Sequence, residues 1–177
     1  MTTTDTNWIS EVGAPAFSAI AEMVAALNCN YDRLEELRDE RTDWIDNDDG
    51  HPDEPSRTAA DWSAAFPAES AELADLEAAA GDCADMDDAQ QRITEYPLSI
   101  SVFGERIDGC WEATSAEILI TTGGPAVLVS VELDEHCEPC RAWLKVQDWG
   151  KPWTDYLPGG DAGETLLAYA RQFCFSA

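Results

Sequence analysis

Apolar residues recur at three- and four-residue spacing through the first half of the chain, a pattern typical of amphipathic helices. One apolar stripe consists of Phe17, Ile20, Val24 and Leu27. Pro15 precedes this stripe, and because proline is tolerated in the first turn of a helix, we expect the helix to begin there. The sequence therefore predicts an amphipathic helix that ends near Leu27.

A second helix is predicted after Asn30, whose side chain is suited to cap a helix N-terminus. Tyr31, Leu34 and Leu37 face one side of this segment, and acidic residues occupy the other side. Three arginines have the spacing to pair with neighbouring acids along the helix. They are Arg33, Arg38 and Arg41.

Residues that interrupt regular secondary structure divide the rest of the first half of the chain into separate segments. Asp, Asn, Gly and Pro are concentrated in residues 46–56, which favours a loop. Further helices are predicted at about 57–65, 67–80 and 85–95. We expect Pro67 to start the second of these, Gly81 to stop it and Asp85 to cap the third.

The spacing of apolar residues changes in the second half of the chain. Short apolar or alternating runs there predict strands at 98–103, 117–121, 126–133 and 141–149. Turns at 123–125 and 134–139 make these runs an antiparallel meander, and residues 163–175 resemble a closing amphipathic helix. The sequence therefore predicts an α+β protein, with an N-terminal helical region packed with a three- to four-stranded antiparallel sheet and a C-terminal helix. Its parts are an acidic helical region, 1–96, and the meander with its helix, 97–177, as two domains or one.

Charge restricts the function more than any other property of the composition. The 177 residues include 36 acidic and 10 basic residues, for a net charge of −26. Binding to phosphates needs clustered Lys and Arg, so we expect no direct binding to nucleic acid, and an anionic membrane would repel the chain. Residues 1–96 carry −19 of this charge and residues 97–177 carry −7.

The predicted helices project acidic residues from one side, which we interpret as a partner-binding face. Spread evenly over a globule of this mass, the charge would be about three times more dilute than on duplex DNA. Concentrated on one helical face, it would suit the basic cleft of a DNA- or RNA-handling protein. The candidate residues are Asp32, Glu35, Glu36, Asp39, Glu40, Asp43, Asp46, Asp48, Asp49, Glu69, Glu72, Asp75 and Glu77.

The net charge is also compatible with functions that involve no mimicry of nucleic acid. Adaptation to a salty cytoplasm favours Asp and Glu, and only Lys145 and Lys151 are lysines. A GC-rich genome also disfavours lysine. An acidic interaction or regulatory module that does not imitate nucleic acid is a further alternative.

Two segments suggest metal ligands, and we favour a structural interpretation of both. His136, Cys137 and Cys140 lie in a predicted hairpin turn, without the second cysteine pair that a zinc site normally has. The acidic loop lacks both end ligands of an EF-hand when Gly50 is placed at the sixth position. Weak calcium binding there stays open, through Asp46, Asp48, Asp49 and Asp53. We expect no metal and no cofactor.

No residue set identifies a catalytic centre. The two histidines, His51 and His136, lie in predicted loops, and no serine occupies a G-x-S-x-G elbow. We therefore expect a non-enzymatic protein.

Residues 148–156 contain an aromatic group that is suited to anchoring a partner, because aromatic residues dominate interface hot spots. The alternative is a loop that folds back over the edge of the sheet. The candidate anchor residues are Trp149, Trp153 and Tyr156.

The N-terminus has neither the basic nor the apolar region of a signal peptide. No apolar run approaches the roughly 18 residues that span a bilayer. These observations predict a cytoplasmic protein.

Most of the chain resembles a group of small acidic proteins of bacterial phages, plasmids and integrative elements. The resemblance lies in WISEVGAPAFSAIAEMVAALNCNYDRLEELRDER, EILITTGGPAV, VELDEHCEPCRAWLKVQDWGKPWTDY and LLAYARQFCF. It implies an accessory or anti-defence role and supplies no catalytic residues. With the charge, it predicts an inhibitor of a host nuclease, CRISPR effector or restriction enzyme through DNA mimicry. A homodimer stays open, since acidic mimics gain length by dimerising.

Overall fold

A computed structural model describes residues 7–46, 56–107 and 110–176. The predicted α+β class is confirmed, with six helices and a five-stranded antiparallel sheet in the described residues. The helices are α1 (Asn7–Leu27), α2 (Tyr31–Asp46), α3 (Ala59–Ala65), α4 (Pro67–Ala80), α5 (Met86–Glu95) and α6 (Ala162–Ala170). The strands are β1 (Ser99–Ile107), β2 (Cys110–Thr121), β3 (Ala126–Leu133), β4 (Pro139–Gln147) and β5 (Thr154–Tyr156).

The chain groups into two compact units. The sheet unit combines Met1–Val24 with Gln90–Ala177, and the helical unit is Ala25–Ala89. These boundaries differ from a division at residue 96, which followed charge and secondary structure. Most of α1 and the end of α5 group with the strands, so local periodicity does not mark the boundaries between the units.

The sheet is a meander in the order β1-β2-β3-β4-β5, which exceeds the predicted maximum of four strands by one. β5 has only three residues, too few to show an alternating pattern. β2 begins at Cys110, well before the predicted start at residue 117. The sequence pattern misses residues 110–116 because Glu112, Thr114 and Ser115 interrupt their apolar run.

One face of the sheet forms the core of the sheet unit. Ile118 lies opposite Val129, which lies opposite Leu144, and all three side chains are fully buried. α6 packs against β4 and β3 and buries Leu166 and Tyr169. The predicted closing helix is therefore confirmed, although it ends at Ala170 rather than at residue 175.

The expected start of the first helix is wrong. α1 already includes Asn7, and Pro15 lies inside it. Ile9 and Val12 extend the apolar stripe towards the N-terminus at helical spacing, so the helix is amphipathic on both sides of the proline. Since proline lacks an N–H, the Glu11 carbonyl loses its usual helical donor.

α1 is also long and apolar enough to cross a membrane, by length and composition alone. This contrasts with the expectation that no apolar run approaches that length. Core helices and N-terminal signal sequences meet the same criterion, and Ile20 and Met23 are buried in the fold. The cytoplasmic location therefore stays a prediction.

The main apolar cluster of the helical unit is formed by Cys29, Leu34, Leu37, Trp62, Leu73 and Ala80, and a smaller one by Ala26, Cys83 and Ala89. The helix caps have the residues that the sequence analysis predicts. The Asn30 side chain accepts a hydrogen bond from the Arg33 N–H (3.2 Å), and the Asp85 side chain accepts one from the Asp88 N–H (2.8 Å). Pro67 opens α4, and Gly81 ends it with a positive φ (56°).

The contact between α1 and β5 gives the first prediction. Gly13 lies directly against the ring of Tyr156, so a Cβ at this position would overlap that ring. We expect Gly13→Ala to lower the free energy of unfolding by about 1–3 kcal/mol, because overpacking outweighs the better helix propensity of alanine. Urea unfolding followed by circular dichroism would measure this.

Gly163 in α6 is the matched control, because a Cβ there meets open space. Gly163→Ala should leave stability unchanged or raise it by up to about 1 kcal/mol. A Gly13→Ala variant as stable as this control would contradict the packing of Tyr156 on α1.

Candidate partner-binding surface

α2 carries its acidic residues on one side. At 3.6 residues per turn, its seven carboxylates fall within an arc of about 140°. They are Asp32, Glu35, Glu36, Asp39, Glu40, Asp43 and Asp46, and all are exposed. The buried Leu34 and Leu37 lie on the opposite side of the helix, in the apolar cluster. Burial of the two leucines therefore points the carboxylates outwards.

Some of the predicted face serves the fold of the unit. Arg33 donates from Nε and Nη2 to the two carboxylate oxygens of Glu72 on α4 (3.1 and 2.9 Å) and from Nη1 to Glu36 (2.6 Å). Its Nη1 also lies 3.9 Å from Glu40 Oε1. Arg38 Nε lies 3.3 Å from Glu77 Oε1 on α4. Glu36, Glu40, Glu72 and Glu77 are thus partners of arginines that connect α2 to α4.

The contact between Arg33 and Glu72 shifts the pKa of both groups. The hydrogen bonds from Arg33 hold the pKa of Glu72 below its usual value. The same hydrogen bonds, from Glu72 first and then Glu36, raise the pKa of Arg33. Glu72 is therefore charged over a wider pH range than an isolated glutamate.

A second group of acids on α2 has no such partner. We call Asp32, Glu35, Asp39, Asp43 and Asp46 the acidic ridge. Within the described residues, none of the five forms an ion pair, and the same holds for Glu69 and Asp75 on α4. Asp48 and Asp49, also predicted for this face, lie outside the described residues.

Basic residues elsewhere in the helical unit neutralise little of the negative charge of the acidic ridge. Residues 25–89 contain twenty acidic and four basic residues, a net charge of −16. Arg33 and Arg38 are engaged on the α4 side, and the Arg57 guanidinium lies 4.6 Å from the ring centre of Trp44. Three of the four cations are therefore committed to contacts within the unit.

The three predicted aromatic anchors have different environments. Trp149, in the segment after β4, is 77% exposed and packs with one edge against Gly124. Trp153 is 38% exposed. Tyr156 is half-buried in β5 and packs on Gly13 of α1, so it lies in a strand rather than in a loop. Trp149 is the member most available to a partner.

His136 and Cys137 lie in the predicted turn between β3 and β4, whereas Cys140 lies at the beginning of β4. Asp134 Oδ1 accepts hydrogen bonds from the N–H groups of Glu138 (3.0 Å) and His136 (2.8 Å), which lower the pKa of Asp134. The Cys140 thiol donates to the Glu132 carbonyl (3.4 Å). No group of three or more His, Cys, Asp or Glu residues that could hold a metal occurs in the described ranges.

No family model, curated protein or solved structure matches this chain. The resemblance to acidic proteins of mobile elements therefore stays a prediction, and the acidic ridge is the feature on which a functional proposal rests.

The arginine contacts give the second prediction. Arg33→Gln should lower the urea midpoint of unfolding near pH 7, because the carboxylates around it lose their shared cation. The folded-state pKa of Glu72 is lowered by its contact with Arg33. The stabilisation from this contact is therefore fully present above the unfolded pKa of about 4.3, and it is lost as the pH falls through the folded-state pKa. The gap between wild type and variant should therefore narrow as the pH falls below the unfolded pKa and close once Glu72 is protonated in the folded protein.

Arg41→Gln is the matched control, because Arg41 forms no ion pair with any described residue. An equal loss of stability in this control, or a gap for Arg33→Gln that persists in acid, would contradict the role assigned to Arg33.

Proposed function

We propose that this protein is a non-enzymatic acidic inhibitor that occupies the nucleic-acid-binding cleft of another protein. The observation that carries the proposal is the one-sided acidic ridge of α2, whose five carboxylates lack ion-pair partners among the described residues. Such a surface attracts a cleft lined by Lys and Arg and repels nucleic acid itself.

The spacing of the ridge supports mimicry of a phosphate strand. Residues 32–46 rise about 21 Å along the helix axis, which gives one unpaired carboxylate per about 4–5 Å. One strand of duplex DNA carries a phosphate per about 3.4 Å of axis. The ridge therefore presents charge at a linear density comparable to a single strand over about half a turn of DNA.

The resemblance to proteins of mobile elements suggests the setting. In the cytoplasm of a bacterial host, the partner would be a nuclease, CRISPR effector or restriction enzyme, and the role anti-CRISPR or anti-restriction. Association driven by opposite charges is fast and weakens steeply with salt, because much of the attraction acts through solvent.

The third prediction tests the ridge directly. The immobilised protein would be exposed to nuclease-treated host lysate at low salt, and bound proteins would be identified by mass spectrometry. The variant Glu35→Gln, Asp39→Asn, Asp43→Asn should lose the specific partner. Asp32 is left unchanged because it lies in the first turn of α2, where an acid stabilises the helix.

A charge-matched control keeps this test specific. Glu105→Gln, Glu112→Gln, Asp155→Asn also removes three exposed carboxylates, all from the sheet unit. It should retain the partner. Equal retention by both triple variants, with unchanged circular dichroism, would contradict the proposal, and equal loss by both would indicate attraction by net charge alone.

A further inference from the structure

One edge of the sheet is exposed and apolar. Within the described residues, β1 pairs only with β2, so the outer edge of β1 has no strand beside it. Ile100 and Val102 lie on the core face of the sheet beside the fully buried Ile118 and Ala116, yet they are 39% and 37% exposed. The apolar layer thus continues to an open edge, which proteins normally cover or protect with charge.

This edge is also uncharged, in contrast to the chain as a whole. No Asp, Glu, Lys or Arg occurs between Glu95 and Glu105. In a chain with a net charge of −26, a second copy would be repelled by most surfaces. At this edge it could approach without placing like charges opposite one another.

The edge has the symmetry of a self-complementary strand. The register with β2 shifts between Phe103 and Gly104, which limits the regular part of β1 to Ser99–Phe103. Ser101 is the centre of this part. If a two-fold axis passes beside Ser101, antiparallel pairing with a second copy places Ile100 of each copy opposite Val102 of the other.

We propose that β1 pairs with β1 of a second copy of this chain, antiparallel and centred on Ser101, to form a two-fold dimer with a continuous ten-stranded sheet. Pairing would satisfy the outer N–H and C=O groups of β1 and cover Ile100 and Val102. This inference rests on the sheet unit and is independent of the proposed function of the acidic ridge.

The charge of the chain determines how the dimer responds to salt. Two copies repel one another at long range, and added salt screens this repulsion while the uncharged edge contact is unaffected. Dimerisation should therefore strengthen from about 0.05 to 0.5 M NaCl. Binding through the acidic ridge should weaken over the same range, so the two interactions are distinguishable.

The fourth prediction uses a pair of lysines. In the variant Ile100→Lys, Val102→Lys, lysines would face each other across the two-fold axis, and we expect the dimer dissociation constant to rise by at least about tenfold. Sedimentation equilibrium at both salt concentrations would measure this. The lysines also reduce the net charge, so an effect of overall repulsion alone would strengthen the dimer instead.

Ser10→Lys, Thr122→Lys is the matched control, because both positions are exposed and lie outside β1. It should dimerise at least as well as the wild type, with circular dichroism confirming that all variants fold. The proposal is overturned if the wild type stays monomeric at the higher salt concentration, or if the β1 lysine variant dimerises like the control.

Discussion

Burial of Leu34 and Leu37 is the interaction on which the surface of the helical unit depends. A helix with seven acids and three arginines has little tendency to associate with another acidic helix. The two leucines, held against Trp62 and Leu73, supply the apolar contact that brings α2 and α4 together. Once this face is buried, helical geometry leaves the carboxylates of α2 on the opposite side.

The arginines make this arrangement compatible with a net charge of −16 in residues 25–89. Arg33 brings Glu36 and Glu72 around one guanidinium, and Arg38 reaches Glu77. Both cations act at the contact between α2 and α4 rather than along the acidic ridge. The unit thus separates acids that stabilise its fold from acids that remain available to a partner, a division that composition alone does not reveal.

Local signals predict much of the fold. Asn30 and Asp85 are recognisable as caps because a cap depends on residues within one turn, and α4 matches its predicted range because Pro67 and Gly81 bound it. Contacts distant in sequence are not predictable in this way. Arg33 and Glu72 are 39 residues apart, and no periodicity indicates which glutamates Arg33 selects.

The same distinction between local signals and contacts distant in sequence explains where the predictions from the sequence were wrong. Pro15 is a start signal by local rules, but the apolar stripe on both sides of it keeps α1 continuous. Tyr156 resembles part of an aromatic loop in sequence because its partner, Gly13, lies near the other end of the chain. The open edge of β1 likewise becomes visible only when the strand order is known.

The central claim, that the acidic ridge occupies a nucleic-acid-binding cleft, is tested most directly by competition. A partner captured from host lysate would be loaded with fluorescently labelled DNA or RNA and titrated with this protein while anisotropy is recorded. The account predicts that labelled nucleic acid is released in proportion to the protein added, with no ternary complex. A stable complex of all three components would contradict it, because the ridge and the nucleic acid would then occupy different sites.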